Sequence, residues 1–246
     1  MFPKPSGFGY RTATFLRGHD LDIRFQDAGA AFAGKTALQP LTVTLQERRI
    51  GIIGLNGSGK TTFARMINGL VTPSTGKVTV GGLDTVKDAR AVLGKVGFIF
   101  QNPQNQIILP IIREDIAFGL KNRGLSKSEI AAAVDAVLAR LDIAHLAGRR
   151  AHELSGGELQ LAALAAVLAT GPDVLILDEP TNQLDLKNRT RVEKTIADLE
   201  ETTIVISHDL ALIENFDRVL LFDGGRLVAD GRPPETIARY RELAAA

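Results

Sequence analysis

A glycine-rich segment, Gly54-Leu-Asn-Gly-Ser-Gly-Lys-Thr61, constrains the fold of this chain more than any other stretch. The apolar residues 50–53 before it are typical of the end of a buried strand, and residues 61–70 are typical of the start of a helix. A glycine turn between a strand and a helix N-terminus presents bare backbone amides, which bind anions. The glycine spacing differs from the G-x-G-x-x-G of dinucleotide-binding turns. The segment therefore predicts a phosphate-binding loop rather than a plain glycine turn.

Two side chains of this loop are predicted to complete a nucleotide site. Lys60 would supply a positive charge to the β- and γ-phosphates. Thr61 would offer its hydroxyl oxygen to Mg²⁺. The candidate nucleotide-binding residues of the loop are Gly54, Asn56, Gly57, Ser58, Gly59, Lys60, Thr61 and Thr62.

A second apolar run, residues 174–177, ends in the acidic pair Asp178-Glu179. The carboxyl ends of parallel strands line the ligand crevice in folds of this kind. We therefore expect Asp178 to hold Mg²⁺, directly or through water, and Glu179 to accept a proton from an attacking water molecule. The alternative is an ordinary acidic pair that turns into a loop at Pro180.

Together with these two motifs, the segment Leu154-Ser-Gly-Gly-Glu158, called the signature below, gives the chain a resemblance to a known family. From about residue 21 to about residue 231 the chain resembles the nucleotide-binding subunits of ATP-binding cassette (ABC) proteins. The resemblance implies an ATPase, which converts ATP and water to ADP and phosphate, with ATP and Mg²⁺ as cofactors.

The resemblance also implies roles for residues outside the loop. Phe32 matches the aromatic residue that stacks on adenine, and Gln101 matches the glutamine that touches Mg²⁺ and the attacking water. His208 matches a histidine that holds the γ-phosphate, so Glu179, His208 and Gln101 are the candidate catalytic residues. The remaining candidates, implied to serve ATP held by a partner subunit or to join the two sites, are Ser155, Gly156, Gly157, Glu158 and Asp185.

Each of these residues has an ordinary structural alternative. Phe32 could belong to the core, and Gln101 could simply end a strand. Ser155 with Glu158 also fits a helix capping box, S-x-x-E, and both readings can hold together. A lone His208 would more often be a structural histidine. Leu161 departs from the family pattern, because most relatives have an arginine at this position.

Two further segments point to one branch of the family. Residues 101–106, Gln-Asn-Pro-Gln-Asn-Gln, and residues 114–119 resemble the ATPases of energy-coupling-factor (ECF) importers. The approach to the loop, Glu47-Arg-Arg-Ile-Gly51, favours the ATPase of biotin transporters. Alternatives are a cobalt, nickel or other vitamin importer of this type, or a conventional ABC transporter.

Several partners follow from this resemblance. We expect a second ATPase subunit, identical or different, because one chain carries one signature and one phosphate loop. We also expect a T-type membrane scaffold subunit and a substrate-binding membrane subunit, with this chain peripheral at the cytoplasmic face. A scaffold helix is predicted to dock beside residues 101–119, with candidate lining Ile107, Ile108, Leu109 and Ile111. The transported substrate is not encoded in these residues.

Composition excludes several other functions. The net charge of +1 does not predict nucleic-acid binding. The chain has no cysteine, so it has neither disulfides nor cysteine metal sites. The longest apolar run, residues 161–169, is too short to span a bilayer, and the first residues lack the apolar region of a secretory signal. The compact interval before the signature argues against DNA-repair cassettes, and a single cassette argues against translation cassettes.

Alternating strand-like and helical patterns predict an α/β fold. We expect a P-loop (RecA-like), mostly parallel sheet with an inserted α-helical subdomain and an antiparallel β part near the N-terminus. The predicted divisions are an arm over residues 1–20, a core over 21–101 and 170–246, and the helical subdomain over 102–169. The predicted strands are 41–45, 50–53, 78–80, 96–100, 174–177, 203–207 and 218–222. Ser126 and Glu129 form a predicted capping box before a helix.

Overall fold

The computed structural model describes residues 21–245 and places their strands in two sheets, one of four strands and one of six. The predicted arm over residues 1–20 lies outside the described residues. The strands are β1 (Ile23–Phe32), β2 (Lys35–Leu45), β3 (Arg49–Gly54), β4 (Thr75–Val80), β5 (Leu83–Asp84), β6 (Val96–Ile99), β7 (Val174–Asp178), β8 (Thr202–Ile206), β9 (Arg218–Asp223) and β10 (Arg226–Gly231).

The six-stranded sheet has the order β10-β9-β3-β8-β7-β6, and its strands are parallel except for the edge strand β10. Strands β7 and β8 are buried along their whole length. Continuous apolar runs such as Val-Leu-Ile-Leu are expected where helices or another sheet cover both faces. The order places the phosphate loop, after β3, two strands away from Asp178, at the end of β7.

The four-stranded sheet is antiparallel and has the order β2-β1-β4-β5. Strand β1 lies between β2 and β4, and its register shifts at Ala28 and nearby positions. Such irregularities bend a strand and increase its twist. The strand carries Phe32 to the tight turn before β2, beside the phosphate loop.

Eight α-helices are found among residues 21–245. They are α1 (Lys60–Ile67), α2 (Ala89–Lys95), α3 (Ile112–Leu120), α4 (Lys127–Arg140), α5 (Gly156–Leu168), α6 (Leu186–Ala197), α7 (Leu210–Ile213) and α8 (Pro233–Ala245). Helices α3, α4 and α5, with three short 3₁₀ turns, fill the interval between β6 and β7. The capping box at the start of α4 is confirmed, since Ser126 Oγ accepts from the amide of Glu129 and the Glu129 carboxylate accepts from the amide of Ser126.

Apolar side chains form separate clusters on the two faces of the large sheet. One cluster joins the four-stranded sheet, α1 and the large sheet, and Phe25 stacks on Phe63 within it at 4.3 Å between ring centroids. A second cluster joins α3, α4, α5 and α6 to the opposite face. A third, smaller cluster lies under α7 and α8. Burial of these apolar side chains is the main favourable contribution to folding.

Arg48 and Arg49, at the start of β3, bind the connection between α6 and β8. The guanidinium of Arg48 donates to the carbonyl of Leu199 at 2.9 Å, and that of Arg49 donates to the carbonyl of Glu201 at 2.7 Å. Arg49 also donates to the carbonyl of Ala197, the last residue of α6, at 3.4 Å, and cations are favourable at a helix C-terminus. Residues 47–51, which resemble the ATPase of biotin transporters, thus have a structural role at the sheet edge opposite the phosphate loop.

The predicted fold class is confirmed: the sheet is mostly parallel, helices cover it, and an antiparallel part lies near the N-terminus. The predicted strands over 96–100 and 203–207 each end one residue earlier, at Ile99 and Ile206, and β1, β5 and β10 were not predicted. No helix over residues 21–245 combines the length and apolar character needed to cross a membrane.

Candidate active site

The carboxyl ends of four neighbouring parallel strands meet at one edge of the large sheet. Strand β3 leads into the phosphate loop, and β6 is followed by Gln101. Strand β7 ends at Asp178 and is followed by Glu179, and β8 precedes His208. These strands are neighbours in the order β3-β8-β7-β6, so residues far apart in sequence surround one cavity.

Two glycines of the loop are required by their close approach to other backbone. At Gly54 φ is +147°, and a Cβ there would lie 2.1 Å from the carbonyl oxygen of Phe222. At Gly59 φ is +100°, and a Cβ would lie 2.8 Å from the carbonyl oxygen of Ala37. A side chain at either position would displace the loop, because L residues rarely adopt these φ values and the space is filled.

Lys60 is buried at the first turn of α1. Its ammonium donates to the carbonyls of Gly54, at 2.8 Å, and Leu55, at 2.9 Å. Burial lowers the pKa of Lys60, and the carboxylates of Glu179 and Asp178 act in the opposite direction. The loop thus holds a positive charge at the helix N-terminus, where phosphate oxygens are stabilised.

The loop also leaves a buried hydroxyl without a partner. Ser58 is 3% exposed and lines the cavity, and its Oγ makes no hydrogen bond within residues 21–245. A buried polar atom without a partner is costly and calls for an explanation. A phosphate oxygen in the cavity would supply the missing partner.

Oxygen ligands suited to Mg²⁺ lie on either side of the same cavity. The hydroxyl of Thr61 lies 3.2 Å from Oδ2 of Asp178, and Gln101 lines the cavity as well. Burial raises the pKa of Asp178, while the Thr61 hydrogen bond and the charges of Arg65 and Lys60 oppose it. Hydroxyl, carboxylate and amide oxygens are the ligands that Mg²⁺ prefers, so these residues fit the ion.

Glu179 and His208 are in contact just beyond the carboxyl ends of β7 and β8. Oε1 of Glu179 lies 3.2 Å from Nε2 of His208, and Oε2 accepts from the backbone amide of His208 at 3.2 Å. Burial raises the pKa of Glu179, while the charge of His208 and the hydrogen bond from its amide lower it. Glu179 also has a φ of +51°, a conformation uncommon outside glycine. Such backbone strain is frequent at functional sites.

The cavity has a volume of about 560 Å³ and collects most of the predicted site residues. Those lining it are Phe32, Asn56, Gly57, Ser58, Gly59, Lys60, Thr61, Thr62, Gln101, Asp178, Glu179 and His208. Phe32 is 51% exposed, so its ring is available for stacking rather than packed in the core. Gly54 contributes through its carbonyl, which accepts from Lys60.

Sequence analysis missed three lining residues, Ala37, Asn182 and Ile206. Asn182 lies in the loop after β7, and its backbone amide donates to the backbone carbonyl of Glu179 at 3.1 Å. Its polar side chain three residues after the predicted base was a usable signal. Ala37 belongs to β2 and Ile206 ends β8, and neither carries any local signature of a site.

The signature residues do not line this cavity. Ser155 caps α5: its Oγ accepts from the amide of Glu158, and the Glu158 carboxylate accepts from the amide of Ser155 at 2.8 Å. That bond and the Ser155 hydroxyl lower the pKa of Glu158. The predicted capping box is therefore confirmed, and neither Gly156 nor Gly157 lines the cavity that contains the phosphate loop.

Asp185 caps α6 close to the signature helix, which is α5. Its carboxylate accepts from the amide and the side-chain nitrogen of Asn188, at 2.8 and 2.9 Å. A Cβ on Gly157 would lie 2.5 Å from that Asn188 side chain. Glycine at position 157 therefore allows the first turns of α5 and α6 to touch. Leu161, at the departure from the family pattern, is fully buried in the apolar cluster of α5.

A side groove of about 330 Å³ opens between α2, α3 and α5. Four exposed apolar residues line it: Leu70, Leu93, Ile108 and Phe118. Of the four predicted lining residues, only Ile108 borders the groove, and its side chain is 70% exposed. Ile107 instead packs against the apolar cluster of the helices, and Leu109 and Ile111 do not line the groove, so the predicted lining is wrong for these three residues.

Comparison with protein families supports the interpretation drawn from the motifs. Residues 38–182 match the family described as "ABC transporter". This stretch contains the phosphate loop, Gln101, the signature, and the Asp178-Glu179 pair.

Individual relatives resemble the chain over most of its length. It is 65% identical to a biotin transport ATP-binding protein of Rhizobium etli, covering 92% of this chain and 100% of the relative. It is 38% identical to an energy-coupling factor transporter ATP-binding protein of Bacillus subtilis, covering 86% and 77%. The structure of cbiO1 from Clostridium perfringens, part of the ABC transporter complex cbiONQ, has a TM-score of 0.80 at 30% identity, covering 91% and 93%. The resemblance inferred from the motifs is confirmed, and the chain belongs to the ABC transporter family as an ATP-binding, ATP-hydrolysing subunit.

Proposed function

We propose that this chain is the ATPase subunit of an ECF-type importer that takes up biotin. The observation that carries the proposal is the 65% identity to a biotin transport ATP-binding protein along the full length of that relative. The cavity that gathers Lys60, Asp178 and Glu179 provides the matching chemistry.

Each residue of the cavity has its own proposed role in ATP hydrolysis. The loop amides and Lys60 would hold the β- and γ-phosphates, and the exposed ring of Phe32 would stack on adenine. Glu179 would accept a proton from the attacking water, and His208 would hold the γ-phosphate. Mg²⁺, held by Thr61, Asp178 and Gln101, would neutralise charge that develops on the phosphates.

The separation of the signature from the cavity supports a dimer. Ser155, Gly156, Gly157 and Glu158 begin α5 away from the phosphate loop of their own chain. A helix N-terminus with two glycines presents bare amides, which suit a γ-phosphate. Two chains would therefore pack head to tail, with the signature of one over the ATP of the other, and Asp185 between them.

The side groove supports the predicted contact with a membrane scaffold subunit. Its apolar lining is exposed, and the segment from Gln101 to Gln106 joins it to the ATP cavity. We propose that a scaffold helix docks there, that residues 102–169 move as a helical subdomain, and that the chain is peripheral at the cytoplasmic membrane face. A separate membrane subunit would bind the substrate.

Affinity purification from membranes and labelled biotin uptake test this function together. Deletion of the chain should abolish high-affinity biotin uptake, and wild type but not Lys60→Ala should restore it. Two polytopic membrane subunits should copurify with the chain. Unchanged biotin uptake with loss of cobalt, nickel or another vitamin would reassign the cargo. Copurification with a single membrane protein and a soluble binding protein would indicate a conventional importer.

A further inference from the structure

The first turn of α6 touches two parts of the site at once. Asn188 lies against Gly157 at the start of the signature helix. The next residue, Arg189, points to the loop that follows β8 and carries His208. Consecutive residues of one helical turn therefore contact the signature helix and the histidine loop.

Arg189 forms two ion pairs. Its Nε donates to Glu193 at 2.8 Å, one turn along the same helix. Its Nη2 pairs with Oδ2 of Asp209, the residue next to His208. The two pairs differ in kind: the first joins neighbours on a helix surface, whereas the second joins two separate elements.

Asp209 fixes the histidine loop from both sides. Its Oδ1 accepts from the amide of Ala211 at 3.2 Å and caps α7. Its own amide donates to the hydroxyl of the fully buried Ser207 at 2.9 Å. The Asp209 side chain is only 15% exposed. The backbone amide and Oδ1 of Asp209 thus bond within the histidine loop, and its Oδ2 pairs with Arg189.

We propose that Arg189 is a positioning residue that, through Asp209, holds His208 in register with Glu179 and with the turn that contacts the signature helix. The inference rests on the proposed role of His208 in hydrolysis. Removing Arg189 would free the histidine loop from α6 without touching the phosphate loop. Small displacements of a reacting group cost about a hundredfold in rate per ångström, whereas binding of ATP by residues 54–62 would persist.

The test compares steady-state ATPase activity of full-length variants. Arg189→Gln and Asp209→Asn should each lower kcat about tenfold to a hundredfold, with an unchanged KM for ATP. Asparagine also caps helices well, so Asp209→Asn keeps α7 and removes only the charge. Arg189→Lys should restore part of the rate. The matched control, Glu193→Gln, breaks the other ion pair of the same arginine and should leave kcat unchanged.

A double-mutant cycle separates positioning from stability. In the His208→Ala background, Arg189→Gln should lower kcat no further, because the group it positions is gone. The inference is overturned if Arg189→Gln keeps the wild-type kcat, if Glu193→Gln is as impaired, or if the loss persists undiminished without His208. Wild-type activity in His208→Ala itself would instead overturn the proposed role of the histidine. If Arg189→Gln does not fold, Asp209→Asn carries the same comparison.

Discussion

At the scale of single residues, the cavity contains desolvated charged groups and a strained backbone, which oppose the stability of the fold. The Glu179 side chain is only 13% exposed, its φ is positive, and both of its carboxylate oxygens contact His208. Burial raises the pKa values of both Asp178 and Glu179. Two desolvated carboxylates beside one buried lysine would weaken a purely structural core, and they are useful where a metal ion and phosphates bind.

Replacing Glu179 with glutamine should separate ATP binding from turnover. Glutamine keeps the shape of the side chain and removes the proposed base, so kcat should fall about 10²–10⁴-fold. Nucleotide affinity, measured by fluorescence titration, should stay close to wild type. Wild-type turnover in Glu179→Gln would show that another group activates the water.

The same substitution should stabilise the nucleotide-free protein near neutral pH. A carboxyl whose pKa is raised on folding binds protons more tightly in the folded state, so stability falls as pH rises above the unfolded values of 3.8 and 4.5. Glu179→Gln should therefore raise Tm at about pH 8, and the gain should shrink towards about pH 5.

An exposed carboxylate provides the opposite control for this experiment. Hydrogen bonds from the Arg150 amide and the Arg149 side chain lower the pKa of Glu153. Its contribution is present above its unfolded pKa and is lost on acidification, so Glu153→Gln should lower Tm at neutral pH. A lower Tm for Glu179→Gln at about pH 8 would mean that attraction to His208 and Lys60 exceeds desolvation.

At the scale of secondary structure elements, α2, α3 and α5 leave their shared groove uncovered. Leu93 on α2 is 54% exposed, and Phe118 on α3 is 43% exposed. Exposed apolar side chains that cluster in one groove indicate a binding surface, whereas scattered ones need no explanation. Their position beside the segment after Gln101 makes the groove suited to passing motion from the ATP cavity to a partner.

Substituting the groove should impair assembly without impairing hydrolysis. Leu93→Ser with Ile108→Ser removes two exposed apolar anchors, and the copurified scaffold should fall about tenfold or more. The matched control is Val86→Ser, an equally exposed apolar residue at 50% that lies outside the groove. Normal assembly of the double variant, or loss of folding in the isolated subunit, would contradict docking at this groove.

At the scale of the whole molecule, the phosphate loop and Gly156 of the signature line two neighbouring pockets that share Gln101 and Asn182. The phosphate loop lines the cavity, whereas Gly156 borders a different pocket with Gln160 and Leu184. A head-to-tail dimer would complete two identical sites, each with a phosphate loop from one chain and a signature from the other.

Mixing two inactive variants should restore activity if the sites are shared. Lys60→Ala disables the phosphate loop, and Gly156→Asp adds charge to the signature beside Leu184, where even a Cβ would lie 3.2 Å away. A mixed dimer of the two contains one site with both defects and one with neither, so ATPase activity should reappear.

The control places both substitutions in one chain. A dimer of that double variant with wild type contains one defect in each site and should be inactive. Activity in purified mixed dimers of both kinds would argue against shared sites. Inactivity in both, with mixed dimers verified by differential tags, would mean that a single intact site does not turn over.

Local patterns in the sequence determined the phosphate loop, the Asp178-Glu179 pair and both capping boxes. Each depends on residues within a few positions of one another, whose spacing directly sets backbone geometry. The central strands were predictable for the same reason, because runs such as residues 174–177 are apolar throughout.

Only the tertiary structure decided which distant residues meet. The β1–β2 hairpin brings Ala37 to the cavity, and no local pattern marks that alanine. The pairing of Arg189 with Asp209, and the packing of Ile107 inward while Ile108 faces the groove, depend on how α6 and α3 lie against the sheet. Raised carboxyl pKa values likewise arise from burial, which is a property of the assembled fold rather than of neighbouring residues in the chain.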